Sequence, residues 1–324
     1  MIIQKRLKSR MSIHYWKLKL GGLILIMLLK NASSAFCAPA ADSNALMNHV
    51  LYLSNLNPPR SSDYPSSLNK AAEYIEGRFR FYGARIETQD FKVNGISTKN
   101  IIASFGPETG SRIIVGAHYD VAGDQPGADD NASAVAGLIE LSRLLSQMSD
   151  SLKWRIDLVA YTLEEPPFFK TEQMGSFVHA KSLKDEGIKI DLMISLEMIG
   201  YFSDDPHSQS FPIGLMNLFY PETGNFIAVV SDFGSYWEAR HFAKKMKQKC
   251  QVPIERLSAP AFIPGVDYSD HLNYWHFGYK AIMITDTAFL RNKNYHKITD
   301  APGTLNYSKM AEVINGVFYA ITHP

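Results

Sequence analysis

The chain has 324 residues, with 33 Lys and Arg against 32 Asp and Glu, a formal charge of +1, and only two cysteines, Cys37 and Cys250. Two cysteines exclude a disulfide scaffold. Residues 1–40 hold seven Lys and Arg and no acid, so removing their +7 from +1 leaves −6 for the remainder. No basic patch interleaved with aromatics remains there, and nothing points to a nucleic-acid partner.

Lys5, Arg6, Lys8, Arg10, Lys17 and Lys19 precede an apolar run over residues 20–29 and the small residues Ala32, Ser33, Ser34 and Ala35. This is the layout of a secretory signal peptide, and cleavage is expected at about residues 35–40. The run is short for a membrane span, so no stable span is expected after processing. The protein is expected to be exported, periplasmic or secreted; an uncleaved anchor is the alternative. Phe36 sits where lipidation of Cys37 would want a small residue. Residues 41–324 contain no repeat or low-complexity linker and read as a single domain.

Helical periodicity appears over residues 45–56 and 68–81. Strand-like segments follow at 85–91, 100–105 and 113–116. From Ala134 the apolar residues Val135, Leu138, Leu141 and Leu145 return at helical spacing. Beyond come strands at 154–161 and 192–198 around a helix at 176–184, then a strand at 226–230 and a helix at 236–249. A short helix at 271–276, a strand at 281–285 and a helix at 310–321 complete the chain. Alternating strands and helices predict an α/β fold, a three-layer αβα sandwich. The early clustered strands predict a central sheet that is mixed rather than wholly parallel.

Chemistry-bearing residues fall just past the strands. His118 and Asp120 follow the segment at 113–116, with Asp130 at the foot of the next helix. Glu164 and Glu165 follow the strand at 154–161, Glu197 ends another, and Tyr295-His296 follows the last. In open α/β sheets the carboxyl ends of strands are where ligands bind. Carboxylates converging in one cleft would repel and raise each other's pKa values, and divalent cations remove that problem. Nitrogen and carboxylate donors without thiolate suit zinc, and the donor number suits two bridged ions. Each residue has a duller reading: Asp130 as a helix N-cap, Glu164 and Glu165 as solvated charges, His296 as a surface histidine. Glu197 resists one, because it lies inside the apolar run MISLEMIG.

The ordered set His118-Tyr119-Asp120, Gly127 to Ser133, Glu164-Glu165, Gly175-Ser176, Glu197 to Gly200, Ser269-Asp270-His271 and Tyr295-His296 resembles the M28 zinc aminopeptidases from about Asn100 to the C-terminus. The resemblance implies two Zn2+ per chain. Asp130 would bridge them, with Glu165 and His296 completing one site and His118 and Glu197 the other. It implies that Asp120 accepts the free ring N–H of His118 and that the Asp130–Asn131 peptide is cis. Glu164 would be general base and acid toward a metal-held water, and the Tyr295 hydroxyl would steady the developing oxyanion. The substrate would be a peptide with a free N-terminus, and Asp270 and His271 are candidate substrate-binding residues.

Three features depart from the usual family pattern. Glu197 replaces the common aspartate, residues 166–174 are bulky and long, and residues 203–225 form an insertion expected to rim or cover the pocket. The nearest rival is a mono-zinc glutaminyl cyclase-like enzyme. Tyr295 before His296 and the intact His118–Asp120 pair argue for the peptidase. A catalytically inactive binding domain is the second rival, and retention of every candidate ligand and of Glu164 argues against it.

Overall fold

The computed structural model describes residues 39–110, 112–148 and 151–324. The expected leader therefore lies almost wholly outside the described residues, as does Cys37. Ala40–Pro324 pack as one compact unit. Among the described residues, no helix is long and apolar enough to cross a membrane.

Two helices open the fold, α1 (Ser43–Ser54) and α2 (Pro65–Phe81). Asp42 caps α1 through its carboxylate, and Pro65 starts α2 at the position where a missing N–H costs nothing. An antiparallel pair, β1 (Arg85–Val93) and β2 (Ile96–Phe105), follows. Next come β3 (Arg112–His118), α3 (Ala134–Ser146), β4 (Arg155–Tyr161), α4 (Gly175–Asp185) and β5 (Leu192–Glu197). The chain ends with β6 (Ile227–Ser231), α5 (Tyr236–Met246), β7 (Ile254–Ser258), α6 (His271–His276), β8 (Ala281–Thr285) and α7 (Tyr307–Thr322).

The strands form one eight-stranded sheet in the order β1-β2-β4-β3-β5-β8-β6-β7. Its centre, β4-β3-β5-β8, is parallel, while β2 and β6 run antiparallel to their central neighbours. The expected mixed α/β sandwich is what forms. Strand alternation sorts side chains to two faces. On one, Val115, Ile194, Ile284 and Val229 join the core made with α1, α2, α3, α5 and α7. On the other, Ile114, Val159, Met193 and Ala281 meet Ala180 of α4 and Tyr274 of α6. At the β6 end of that second face, Ala228, Val230 and Met283 form a separate small cluster with Phe226 and Val266, and Trp275 of α6 packs against it.

β7 is the element with no counterpart in the sequence reading. It pairs only with β6, and its sequence IERLS leaves four of five residues partly accessible. An edge strand needs no continuous apolar run.

Candidate metal centre

Register places the chemistry. His118 is paired with Tyr161 at the ends of β3 and β4, and Glu197 with Thr285 at the ends of β5 and β8. Four parallel strands therefore stop on one edge, and the loops beyond them deliver the remaining groups. Leu163, Met198 and His296 all take left-handed backbone angles, with φ of 56°, 47° and 54°. Such angles are costly for residues with side chains and persist where surrounding structure holds them. One precedes Glu164, one follows Glu197, and the third is itself a candidate ligand. The turn at Met198 also explains why β5 ends at Glu197, one residue earlier than the apolar run.

The two oxygens of Asp130 face two different imidazoles. Oδ1 lies 3.4 Å from His118 Nε2 and Oδ2 lies 3.2 Å from His296 Nε2. Glu165 Oε2 is 3.2 Å from His296 Nε2, and Glu197 Oε2 is 3.4 Å from His118 Nε2. Glu164 Oε2 stands 3.9 Å from the same His118 nitrogen. The five ligand candidates and Glu164 thus meet in one cleft. The Asp130–Asn131 peptide is cis.

Donors and acceptors in the cleft are left over. His296 Nε2, His118 Nδ1 and Glu165 Oε1 are buried atoms without hydrogen-bond partners. Ligand atoms of His118, Asp130 and Glu165 all lie within 4.8 Å of one another. Buried, unpartnered, and composed of imidazole and carboxylate, this set fits zinc or a similar first-row cation.

Electrostatics of the cluster follow from proximity. Burial opposes charge on His118, yet the charges of Glu197 and Glu164, with the carboxylates of Asp120 and Asp130 beside the ring, carry its pKa well above the usual range. Burial likewise opposes charge on His296, but Asp130 and Glu165 raise it to about 10. Asp130 is held low by the two imidazoles against the pull of burial. Burial, then the Asp130 charge, pushes Glu165 up to about 7. Glu164 is driven well above the carboxylate range by burial, with Glu165 and Glu197 adding to it.

A further layer holds the ligands. Asp120 Oδ1 is 3.5 Å from His118 Nδ1, on the side the resemblance implied. Its two oxygens also accept the backbone N–H groups of Glu164 and Glu165, both at 3.1 Å. One carboxylate thereby ties three candidate site residues together. Asp300 accepts the N–H groups of Asp129 and Asp130 at 2.9 and 3.1 Å. Ser269 Oγ donates to Glu197 Oε2 at 2.8 Å. Arg60 is buried and donates to four carbonyls: Tyr119 at 2.9 Å, Leu53 at 3.2 Å, and Pro126 and Gly127 at 2.6 Å each. Gly127 has φ +57°, and a Cβ there would stand 2.2 Å from the Asp130 carbonyl oxygen. Sequence reasoning missed Arg60, the positioning role of Asp300, and Ser269 as a partner of Glu197, because each acts over long separations and mostly on backbone.

Tyr295 stacks on His296 with ring centroids 3.8 Å apart and lines the cleft. Burial and the surrounding carboxylates, Asp130 first, push its phenol strongly upward, so the hydroxyl stays protonated. Asp270 is fully buried beneath the cluster, with both oxygens unpartnered and burial raising its pKa to about 7. His271 is also fully buried. Its Nε2 faces the Val266 carbonyl at 2.8 Å and its ring meets Trp275 edge-on at 4.5 Å. Neither residue is exposed to solvent, which does not favour direct substrate contact.

The family model described as Peptidase family M28 matches residues 100–321. Escherichia coli YfbL is 48% identical over 285 residues, covering 86% of this chain and 87% of that protein. Leucine aminopeptidase 1 of Paracoccidioides brasiliensis is 25% identical over 74% of this chain; the match spans 59% of that longer protein. Among solved structures, LapA of Legionella superposes with a TM-score of 0.69 at 19% identity, over 87% of this chain and 73% of its own. A glutaminyl cyclase of Bacteroides thetaiotaomicron gives 0.68 at 19% identity, over 89% and 99%. These two likenesses speak to the fold. With the family match running over most of the described residues and through every ligand candidate, the chain belongs to peptidase family M28.

Proposed function

We propose that the protein is an exported di-zinc aminopeptidase that removes N-terminal residues from peptides. The observation that carries the reading is the two-sided geometry of Asp130, whose oxygens each face a separate imidazole with its own glutamate. His118 and Glu197 would hold one ion, His296 and Glu165 the other, and Asp130 both. When bound, the ions supply Lewis-acid polarisation and lower the pKa of a coordinated water.

Glu164 would take a proton at its carboxylate and return it to the departing amine. A carboxylate whose proton affinity is raised by burial suits both halves of that exchange near neutral pH. The Tyr295 hydroxyl, protonated and fixed by its stack on His296, would donate to the oxygen that gains charge. Asp120 would keep His118 and both glutamates in register. The cleft is lined by Asp130, Glu164, Glu165 and Glu197, with no Lys or Arg, which suits a free α-ammonium group. The export reading rests on the leader at residues 1–40 alone.

The test is a metal count joined to an assay. Two zinc ions per chain are expected, with hydrolysis of amino-acid p-nitroanilides and none of their N-acetylated forms. One ion per chain with ring closure of an N-terminal glutamine peptide would replace this reading by the cyclase. Loaded protein that does neither would favour a binding domain.

A further inference from the structure

The outward face of α5 takes no part in the metal cleft. Residues 236–249 hold five Lys and Arg against one acid, Glu238, in a remainder whose charge is −6. A basic patch interleaved with aromatics, not expected from the sequence, is therefore assembled by folding. Ala239, Phe242, Ala243 and Met246 turn inward to the core at helical spacing. Trp237, Arg240, Lys244 and Lys247 fall on the opposite side, and all four are exposed.

Aromatic rings gather at the start of this strip. Phe233, in the turn before α5, is 65% exposed, and Trp237 is 60% exposed. Two such rings left in water forgo the burial that dominates aromatic energetics. Tyr236 meets Trp237 edge-on at 5.2 Å. Both members of that pair carry a cation: Arg240 lies 5.6 Å from the Trp237 centroid, and Arg256 of β7 lies 5.2 Å from that of Tyr236. Lys280 Nζ donates to the Gly234 carbonyl and adds a third. The acids at this end are Glu238 and Asp232, whose Oδ1 accepts the Ser235 N–H at 2.7 Å.

We propose that this face docks on an anionic phospholipid bilayer, with Phe233 and Trp237 entering the headgroup boundary and the cations of α5 lying among the phosphates. Charge complementarity selects the occupant, because a basic face on an otherwise acidic body turns that face toward an anionic surface. The exposed rings select lipid, since Phe233 has no polar group and gains only from an apolar boundary. The outward side of a helix is convex, whereas single-stranded nucleic acid is held in grooves. Among the described residues no helix is long and apolar enough to cross a membrane, so the contact is a surface one. None of these residues lines the metal cleft, and the proposal stands apart from the aminopeptidase reading.

The experiment is sedimentation of residues 40–324, which pack as one compact unit, with vesicles of phosphatidylcholine alone or mixed with phosphatidylglycerol. Omitting the leader keeps its own cations and apolar run out of the measurement. The wild type should bind the mixed vesicles at least about tenfold more tightly than the neutral ones, weaken in high salt, and show a blue shift in tryptophan emission. Arg240→Glu with Lys244→Glu should lower that affinity about twenty-fivefold or more, since each cation near an anionic surface is worth about fivefold. Phe233→Ser with Trp237→Ser should abolish the blue shift and weaken binding several-fold while the salt dependence stays. All four positions are exposed, so the thermal midpoint should hold in both variants. Equal binding to both vesicles, binding to neither, an unmoved charge variant or a wild type without the blue shift overturns the proposal. So does tighter binding to a single-stranded oligonucleotide than to the mixed vesicles, which would make the face a polyanion site. The salt series needs no variant, and an affinity for mixed vesicles that ignores salt also overturns it.

Discussion

Replacing Arg60 by methionine should destabilise the protein by about 3–5 kcal/mol, because it leaves four carbonyls without their donor at about 1–3 kcal/mol each while relieving the burial of a charge. The guanidinium donates to four carbonyls, on α1, after β3, and twice on the loop leading to Asp130. Hydrogen bonds from a charged donor contribute about 1.5–3 kcal/mol each. Against them stands desolvation, which lowers the Arg60 pKa from 12.5 to about 10, a cost of about 3 kcal/mol. Nearby Asp300, Asp130, Asp120 and Glu165 offset part of that burial, so the group stays charged at neutral pH. Arg60→Lys keeps the charge and loses the fork, and should cost about half as much. The assay is urea unfolding followed by tryptophan fluorescence, read as a shifted midpoint at constant slope. Zinc affinity should fall in both variants, since the clamp fixes Tyr119 and Gly127 on either side of the ligands. A loss under about 1 kcal/mol for the methionine variant would refute the clamp.

Glu164→Gln should abolish turnover while two ions and the unfolding midpoint are retained; residual activity within tenfold of wild type would remove Glu164 from its role. Metal binding should release protons at pH 7, because Asp130 and Glu165 raise the His296 pKa to about 10 against the opposing effect of burial, and the ring must be neutral to ligate. Calorimetry in buffers of different ionisation enthalpy measures this, apparent affinity should rise with pH, and zero release contradicts it. His179 is fully buried, donates or accepts at the Tyr274 hydroxyl at 2.7 Å, and has its pKa lowered by burial to about 4. As pH falls below about 6.5 the unfolded chain takes this proton first, so stability declines down to about pH 4 and is level below it, a loss of about 3 kcal/mol. His179→Gln should flatten that part of the urea-midpoint profile, and an unchanged profile would show that His179 does not cause it.

Much of the fold could be read because buried parallel strands are nearly continuous apolar runs, as in Ile113 to Val115 and Ala281 to Thr285. Part of the ligand set was readable for the same reason: His118 ends such a run and Glu197 stands inside one, whereas Asp130 and His296 lie in polar loops and were legible only through the ordered motif set. Edge strand β7 was not, since a sequence with Glu255 and Arg256 at its centre looks like a surface turn. Helix α5 stops at Met246 rather than at Lys249 because the next residues tighten into i→i+3 turns, with Gln248 N–H on the Lys245 carbonyl at 3.1 Å and Lys249 N–H on the Met246 carbonyl at 3.0 Å. Arg60 lies 59 residues from its Tyr119 partner and Asp300 lies 170 from Asp130. Their partners are peptide groups, which carry no sequence identity, so no local pattern announces them. His271 was legible only by its neighbourhood in the motif set; its ring is buried against Trp275, with Nε2 at the Val266 carbonyl.

The 203–225 segment lies outside the sheet, whereas His118 and Glu197 end strands of it and the other ligand candidates sit in loops beyond strand ends. Rebuilding residues 203–225 would therefore leave in place the strand ends that carry the candidate ligands. In such an arrangement rim and frame can drift independently, and descendants of one frame are free to diverge by exchanging a single loop.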